Sequence, residues 1–249
     1  MIAFEHVNKV FNKGKINEIV SLKDLSLQIG NGEFVIMLGA NGSGKSTLLN
    51  IIGGKEKPGN GKVFINGIDA TDLPEHKKSR WVARVFQNPY SGTASELSLI
   101  DNFRLAALRT GSRKLQIGVN NNFRKEVRDK IATLGMGLEN RIHLPMGSLS
   151  GGQRQALTLL MSTMDKVDIL LLDEPTAALD PKSAAVVLEL TDRIIRENKL
   201  TALLITHNLK DALQYGSRVI QLQEGRINRD VNSAEKAKLR LQDLYEWFG

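Results

Sequence analysis

The sequence predicts an α/β fold with a mainly parallel sheet, and two observations carry that prediction. Short apolar runs suited to buried strands alternate with stretches of helical spacing. One such run leads through a glycine-rich loop straight into one such helix. Alternation of this kind covers a parallel sheet on both faces. A chain of 249 residues suffices for one large domain with room for a subdomain.

The first segment is β-rich. Leu25-Ser26-Leu27-Gln28-Ile29 alternates apolar and polar ahead of a turn at Asn31-Gly32. Phe34-Val35-Ile36-Met37-Leu38 is a continuous apolar run and reads as a buried strand. After the glycine loop, Leu48, Leu49, Ile51 and Ile52 mark one face of a helix that Gly53-Gly54 closes. Val63-Phe64-Ile65 runs into a second turn, Asn66-Gly67. Residues 81–86 read as a strand, followed by a polar loop over 87–95. Residues 98–165 read as helical, with Leu99, Phe103, Ala106 and Ala107, and later Val127, Ile131 and Leu134, on helical spacing. Strands return at 169–172 and 202–205 with a helix between them, and Val219 to Ile227 forms a hairpin about Glu224-Gly225. Residues 234–248 read as one short amphipathic helix carrying Leu239, Leu241, Leu244 and Trp247, which packs on the core or faces a partner. There is no internal repeat, so the chain holds one such unit.

Composition excludes several classes. A hydrophobic share of 41% and a charged share of 24% are ordinary for a soluble globular protein. The absence of cysteine removes disulfide frameworks and thiolate metal sites, and is compatible with a reducing cytosol. The N-terminus turns polar at once, which argues against a signal peptide. No apolar run approaches the ~18–20 residues of a membrane span, so the chain is not expected to enter a bilayer by itself. The net charge of +7 is compatible with nucleic acid, an anionic membrane surface or a nucleotide ligand. The basic residues are scattered, with small clusters such as Lys77-Lys78-Ser79-Arg80, which reads as solvated surface.

The loop Gly39-Ala40-Asn41-Gly42-Ser43-Gly44-Lys45-Ser46-Thr47 fits G-x-x-x-x-G-K-[ST] in full. Its glycines let backbone N–H groups turn inward to phosphate oxygens, and the following helix adds its positive dipole end. Lys45 is placed to bridge β- and γ-phosphates, and Ser46 to ligate Mg²⁺. A dinucleotide loop fits poorly, because the glycines fall at 39, 42 and 44 and Lys45-Ser46 follows. The site expected is therefore one for a nucleoside triphosphate, in a P-loop NTPase core.

Three apolar runs end in a polar residue suited to the carboxyl edge of such a sheet. Phe86 is followed by Gln87, Leu172 by Asp173-Glu174, and Thr206 by His207. Singly, each has a bland reading as a solvated acid or a structural histidine. Beside a phosphate loop they form a phosphoryl-transfer constellation. Asp173 would hold Mg²⁺. Glu174, on the opposite side of an extended segment, would orient the attacking water as general base. Gln87 would reach the metal or that water, and His207 would donate to the γ-phosphate. Positioned groups of this kind contribute ~3–4 kcal/mol each in the transition state.

Leu149-Ser150-Gly151-Gly152-Gln153 precedes a helix expected to begin near Arg154. It reads as a Ser-Gly-Gly turn and cap, and it is also the signature of ATP-binding cassette (ABC) proteins. With the phosphate loop, Gln87, Asp173-Glu174, Ala178-Leu179-Asp180 and His207 in order, the chain resembles that family over nearly its whole length. The resemblance implies a single nucleotide-binding domain over 1–249. Its core lobe would take 1–87 and 163–230, with an N-terminal antiparallel β subdomain. A helical subdomain would be inserted at about 88–162, and a tail would occupy 231–249. It implies ATP and Mg²⁺ as ligands and an ATP-dependent homodimer, paired head to tail. Ser150, Gly151, Gly152 and Gln153 of one subunit would then meet ATP on the other. Asp180 would communicate between the two sites, and it is also a plausible helix N-cap ahead of Pro181. Phe11 occupies the place where the family stacks an aromatic on adenine, although it also reads as a packing residue.

Every catalytic position is intact, so the resemblance implies an ATPase coupled to transmembrane transport. Without spans of its own, the chain would serve separate integral membrane permease subunits, whose coupling helices would meet residues 88–103. It would then lie in the cytoplasm, on the inner face of the cell membrane. Arg84-Val85-Phe86-Gln87-Asn88-Pro89 with Gly92-Thr93-Ala94, and Gln153-Arg154-Gln155-Ala156-Leu157-Thr158-Leu159-Leu160-Met161, look like a bacterial subgroup whose cassette accompanies a permease and a substrate-binding lipoprotein. That subgroup is often assigned to aromatic amino acid uptake. The N-terminal third also looks like the lipoprotein-release and macrolide-export cassettes. A basic ATPase acting on nucleic acid fits the charge but gives no reason for the signature, so no nucleic-acid partner is expected.

Overall fold

The structure is a computed structural model that describes residues 1–109 and 118–248. Two sheets and their helices build it. The first sheet is antiparallel, with β1 (Ile2–Phe11), β2 (Ile19–Ile29), β4 (Asn60–Ile65) and β5 (Ile68–Asp69) in the order β2-β1-β4-β5. Asn66 and Gly67 both take positive φ between β4 and β5, as a tight hairpin requires.

The second sheet runs β10-β9-β3-β8-β7-β6. Its members are β3 (Phe34–Leu38), β6 (Val82–Val85), β7 (Ile169–Asp173), β8 (Thr201–Ile205), β9 (Arg218–Gln223) and β10 (Arg226–Val231). All its pairings are parallel except β9 with β10, a hairpin that turns at Glu224-Gly225. Strands β3 and β8 are buried along their whole length, as two covered faces demand. One apolar cluster joins Val35, Met37, Leu171 and Leu203 to the antiparallel sheet and to α1 (Lys45–Gly53). A second lies on the other face. It unites Ile36, Leu172 and Leu204 with α3 (Leu99–Ala106), α4 (Asn121–Ala132), α5 (Gly151–Ser162) and α6 (Pro181–Asn198). Short helices α2 (Glu75–Lys78) and α7 (Leu209–Gln214) complete the connections.

Two expectations need correction. The span 98–165 is not continuously helical: over 133–150 the only helix is a 3₁₀ turn, Met146–Ser148. Gly135 and Gly137 adopt positive φ there and Pro145 follows, so the backbone cannot stay α-helical. Residues 110–117 of that span lie outside the described residues. The tail is also not one helix. It forms α8 (Ser233–Lys236), opened by a capping box on Asn232, and α9 (Leu241–Tyr245), where Asp243 accepts from the Arg240 N–H. Leu244 is fully buried and Leu239 and Trp247 pack on the core, so the tail does dock.

Candidate nucleotide site

Four adjacent parallel strands bring their carboxyl ends to one edge. β3 ends at the phosphate loop, β8 at Thr206-His207, β7 at Asp173-Glu174, and β6 just before Phe86-Gln87. In register, Asp173 and Met37 both pair with Ile205, so the polar residues share one level.

The loop is built from conformations only glycine takes without strain. Gly39, Gly42 and Gly44 have φ of 152°, 79° and 107°. A Cβ on Gly39 would stand 2.4 Å from the Leu222 carbonyl oxygen, and one on Gly44 would stand 2.6 Å from that of Ser21. Gly44 is the N-cap of α1, with no side-chain cap and no acid in the first turn. The first N–H groups of α1 therefore remain available to an anion. Lys45 is buried, and its Nζ donates to the carbonyls of Gly39 (2.8 Å) and Ala40 (2.9 Å). Desolvation pulls its pKa below the ordinary lysine value, while Glu174 and Asp173 oppose the shift. Thr47 Oγ1 is 2.8 Å from Ser21 Oγ on β2, and the Ser43 carbonyl accepts from the Gly225 N–H. Asn41 is exposed.

The two acids diverge, but not by strand alternation. Glu174 has φ 47°, so the chain leaves the extended conformation at that residue. Asp173 turns Oδ1 to Ser46 Oγ (3.4 Å) and Oδ2 to Arg84 Nη2 (2.6 Å). Glu174 places Oε1 2.8 Å from His207 Nε2, and Oε2 accepts from Gln87 Nε2 at 3.3 Å. Lys45, Ser46, Gln87, Asp173, Glu174 and His207 thus converge.

Signature residues Ser150 to Gln153 lie elsewhere. The helix they open starts at Gly151, ahead of the expected start near Arg154, because a capping box forms on Ser150. Ser150 Oγ accepts from the Gln153 N–H (3.3 Å), and Gln153 Oε1 accepts from the Ser150 N–H (3.2 Å). Gly152 lies so close to α6 that a Cβ would meet Ser183 Oγ at 2.7 Å, and Gly151 faces Leu179. Asp180 caps α6, accepting from the N–H groups of Lys182 and Ser183 at 3.1 Å, bonds that hold its carboxyl below the usual range. Among the described residues, no hydrogen bond or ion pair joins Ser150 to Gln153, or Asp180, to the phosphate loop. Phe11 ends β1, pairs with Ile19 and lies under Lys9 Nζ at 4.8 Å, apart from the converging group.

Sequence reasoning missed three polar anchors. Arg84 bridges Asp173 and Asn50, and its signal was a charge inside the apolar run Val82-Ala83-Arg84-Val85. Gln155 donates to the Phe86 carbonyl at 3.0 Å, one residue before Gln87. Arg154 is fully buried, donating to Ser95 Oγ and the Met146 carbonyl and lying over the Tyr90 ring at 4.2 Å.

The family model for "ABC transporter" matches residues 22–177. The tyrosine transport ATP-binding protein of Clostridioides difficile is 41% identical, with 100% of this chain and 98% of that protein covered. The lipoprotein-releasing system ATP-binding protein LolD 1 of Caulobacter vibrioides is 36% identical over 90% of this chain and 93% of its own length. Among solved structures, the dimeric post-hydrolysis state of the ATP-binding cassette MJ0796 bound to ADP and Pi superposes with a TM-score of 0.80. Its identity is 30%, over 94% of this chain and 99% of that one. Among the described residues no helix is long and apolar enough to cross a membrane. The chain belongs to the ABC transporter family, as an ATP-binding cassette of the kind that dimerises, pairs with membrane permeases and hydrolyses ATP to power transport.

Proposed function

We propose that this chain is the ATP-hydrolysing subunit of a small-solute importer, with amino acids, aromatic ones first, as the solute class. The observation that carries the hydrolytic reading is the contact set at the carboxyl edge. Glu174 is held between His207 Nε2 and Gln87 Nε2 while Asp173 faces Ser46. The importer reading rests on similarity to the tyrosine transport relative.

In this reading Gly39 and residues 41–47 wrap the phosphates with backbone N–H groups. Lys45 exchanges its two carbonyl partners for β- and γ-oxygens. Glu174 accepts a proton from the attacking water and holds it at a carboxylate oxygen. Gln87 orients that water through its amide, and His207 donates to the γ-phosphate. The Ser46 hydroxyl and one Asp173 oxygen form a sparse set of hard donors. That suits Mg²⁺, which keeps waters, takes phosphate oxygens and would neutralise charge developing between the β- and γ-groups. Phe11 stacks on the adenine. Ser150, Gly151, Gly152 and Gln153, with Asp180, complete the site of a second copy in an ATP-dependent homodimer. Similarity to the dimeric cassette MJ0796 supports that division.

The permease docks at residues 88–103, beside a 470 Å³ groove lined by Phe86, Gly92, Asn102, Leu105 and Arg109. The core lobe takes about 1–87 and 163–230, the helical subdomain about 88–162, and the tail 231–249. The chain works in the cytoplasm, on the inner face of the membrane, in a complex that includes a substrate-binding lipoprotein. The test is mass spectrometry of what co-purifies with the tagged protein from gently solubilised native membranes. A small permease with a binding lipoprotein is the expected result. A membrane protein with a large extracytoplasmic domain would replace the importer reading with export or lipoprotein release.

A further inference from the structure

Arg84 is a half-buried cation that the reading above does not use. Its side chain is 15% exposed, in the apolar strand β6, and it reaches two elements at once. Nη2 donates to Asp173 Oδ2 and Nη1 donates to Asn50 Oδ1, each at 2.6 Å. The guanidinium lies over the Phe86 ring at 5.0 Å, and its Nε has no hydrogen-bond partner among the described residues.

Stability gives little reason for this residue. Burying a guanidinium with one N–H unmatched costs desolvation, and an apolar side chain of similar volume often serves a core equally well or better. The geometry gives a different reason. Asn50 lies four residues after Ser46 on α1, so both side chains leave the same helix face. Ser46 Oγ meets Asp173 Oδ1, Asp173 Oδ2 meets Arg84, and Arg84 meets Asn50. One turn of α1 closes the ring. Only a planar fork spans both acceptors in this way, because a lysine offers a single point charge.

We propose that Arg84 is a positioning residue for the metal-binding pair. By taking one Asp173 oxygen and tying it to Asn50, it leaves the other oxygen aimed at Ser46 and fixes the spacing between strand β7 and helix α1. The inference rests on the reading of Asp173 and Ser46 as Mg²⁺ donors. Loss of Arg84's fork would leave the carboxylate present but free to rotate. It would weaken the response to Mg²⁺ more than the affinity for nucleotide.

The test uses the full chain and compares R84K, N50A, the double variant R84K/N50A and D173N. ATP hydrolysis is titrated with Mg²⁺, and nucleotide affinity is measured separately in EDTA. R84K keeps the charge and loses the fork, while N50A keeps Arg84 and loses its second anchor. Each is expected to raise the half-saturating Mg²⁺ concentration and lower kcat, each by about tenfold, since small misplacements of a reacting group cost rate steeply. Affinity for ATP in EDTA should be unchanged, and the double variant should be no worse than either single one. Wild-type behaviour of N50A, full rescue by lysine at position 84, or additive losses would each overturn the proposal. If R84K does not fold by circular dichroism, N50A decides alone. D173N separates the two readings. Unchanged activity there would remove the metal assignment itself, whereas a dead D173N beside a normal N50A would remove only the role of Arg84.

Discussion

Glu174→Gln is the most demanding test of the site. The substitution preserves size and one carbonyl oxygen, so the 2.8 Å contact to His207 Nε2 can persist with the imidazole as donor. What disappears is the group able to take a proton from water. General-base catalysis contributes about 10²–10⁴-fold, so phosphate release at saturating ATP and Mg²⁺ should fall by at least about a hundredfold. The fold should hardly notice. Glu174 and His207 are 19% and 46% exposed, and a pair that wet is worth at most about 1 kcal/mol. On a chain of this size that moves Tm by no more than about 4 °C. ATP affinity should be retained, because the phosphate loop is untouched, and an ATP-loaded dimer should accumulate on gel filtration. Two results would refute the reasoning. Phosphate release within threefold of wild type would remove Glu174 as the base. A monomer at saturating ATP would remove the closed dimer or the link between hydrolysis and reopening.

Other perturbations follow from the same geometry. Lys45→Ala removes a charge-assisted contact worth ~1.5–3 kcal/mol to the phosphates, so ATP affinity should drop roughly ten- to a hundredfold in a direct binding titration. Unchanged affinity would contradict the loop assignment. Gly44→Ala sets a Cβ against the Ser21 carbonyl at a φ of 107°, and should destabilise the fold by more than about 1 kcal/mol in urea unfolding. Asp180→Ala removes the N-cap of α6 and should lower the midpoint of the same urea unfolding; an unchanged midpoint would mean that its bonds to Lys182 and Ser183 contribute nothing. Lys78 is fully buried, donates to the Ile51 carbonyl, and is lowered by burial from 10.5 to about 8. Between those values the unfolded chain holds the extra proton, so the burden of the buried charge is full below about pH 8 and lifts as pH rises. The stability of wild type relative to Lys78→Met should therefore improve by up to ~3 kcal/mol between pH 7.5 and 10.5. A constant difference across that range would refute it.

Much of this was legible because the informative residues obey short-range rules. Gly39 to Thr47 declares itself by spacing, and the hairpins at Asn66-Gly67 and Glu224-Gly225 by turn chemistry. The buried strands at 34–38, 169–172 and 202–205 declare themselves by uninterrupted apolar runs bounded by polar residues. The errors also had local causes. The helical spacing over 98–165 carries on through 133–150, where the apolar residues continue but Gly135, Gly137 and Pro145 set the backbone. Strand alternation fails at Glu174, because a left-handed residue at the strand end redirects the side chain.

What was not legible depends on pairs far apart in sequence. Arg84 and Asp173 are 89 residues apart, and Gln155 and Phe86 are 69 apart; no periodicity encodes either contact. A charge inside an apolar strand, or polar residues inside a buried helix, announces only that partners must exist. In α5 the announcement was plain: Arg154 and Gln155 sit beside the signature yet are buried, so they had to find acceptors inside the molecule. They find them at Ser95, Met146 and Phe86, on the segments flanking Gln87 and on the turn before the signature. The helix that carries Ser150, Gly151 and Gly152 is thereby tied to the loop that carries Gln87. Residues that sequence alone separates into two motifs form one packed unit, and a substitution at Gln155 should disturb both.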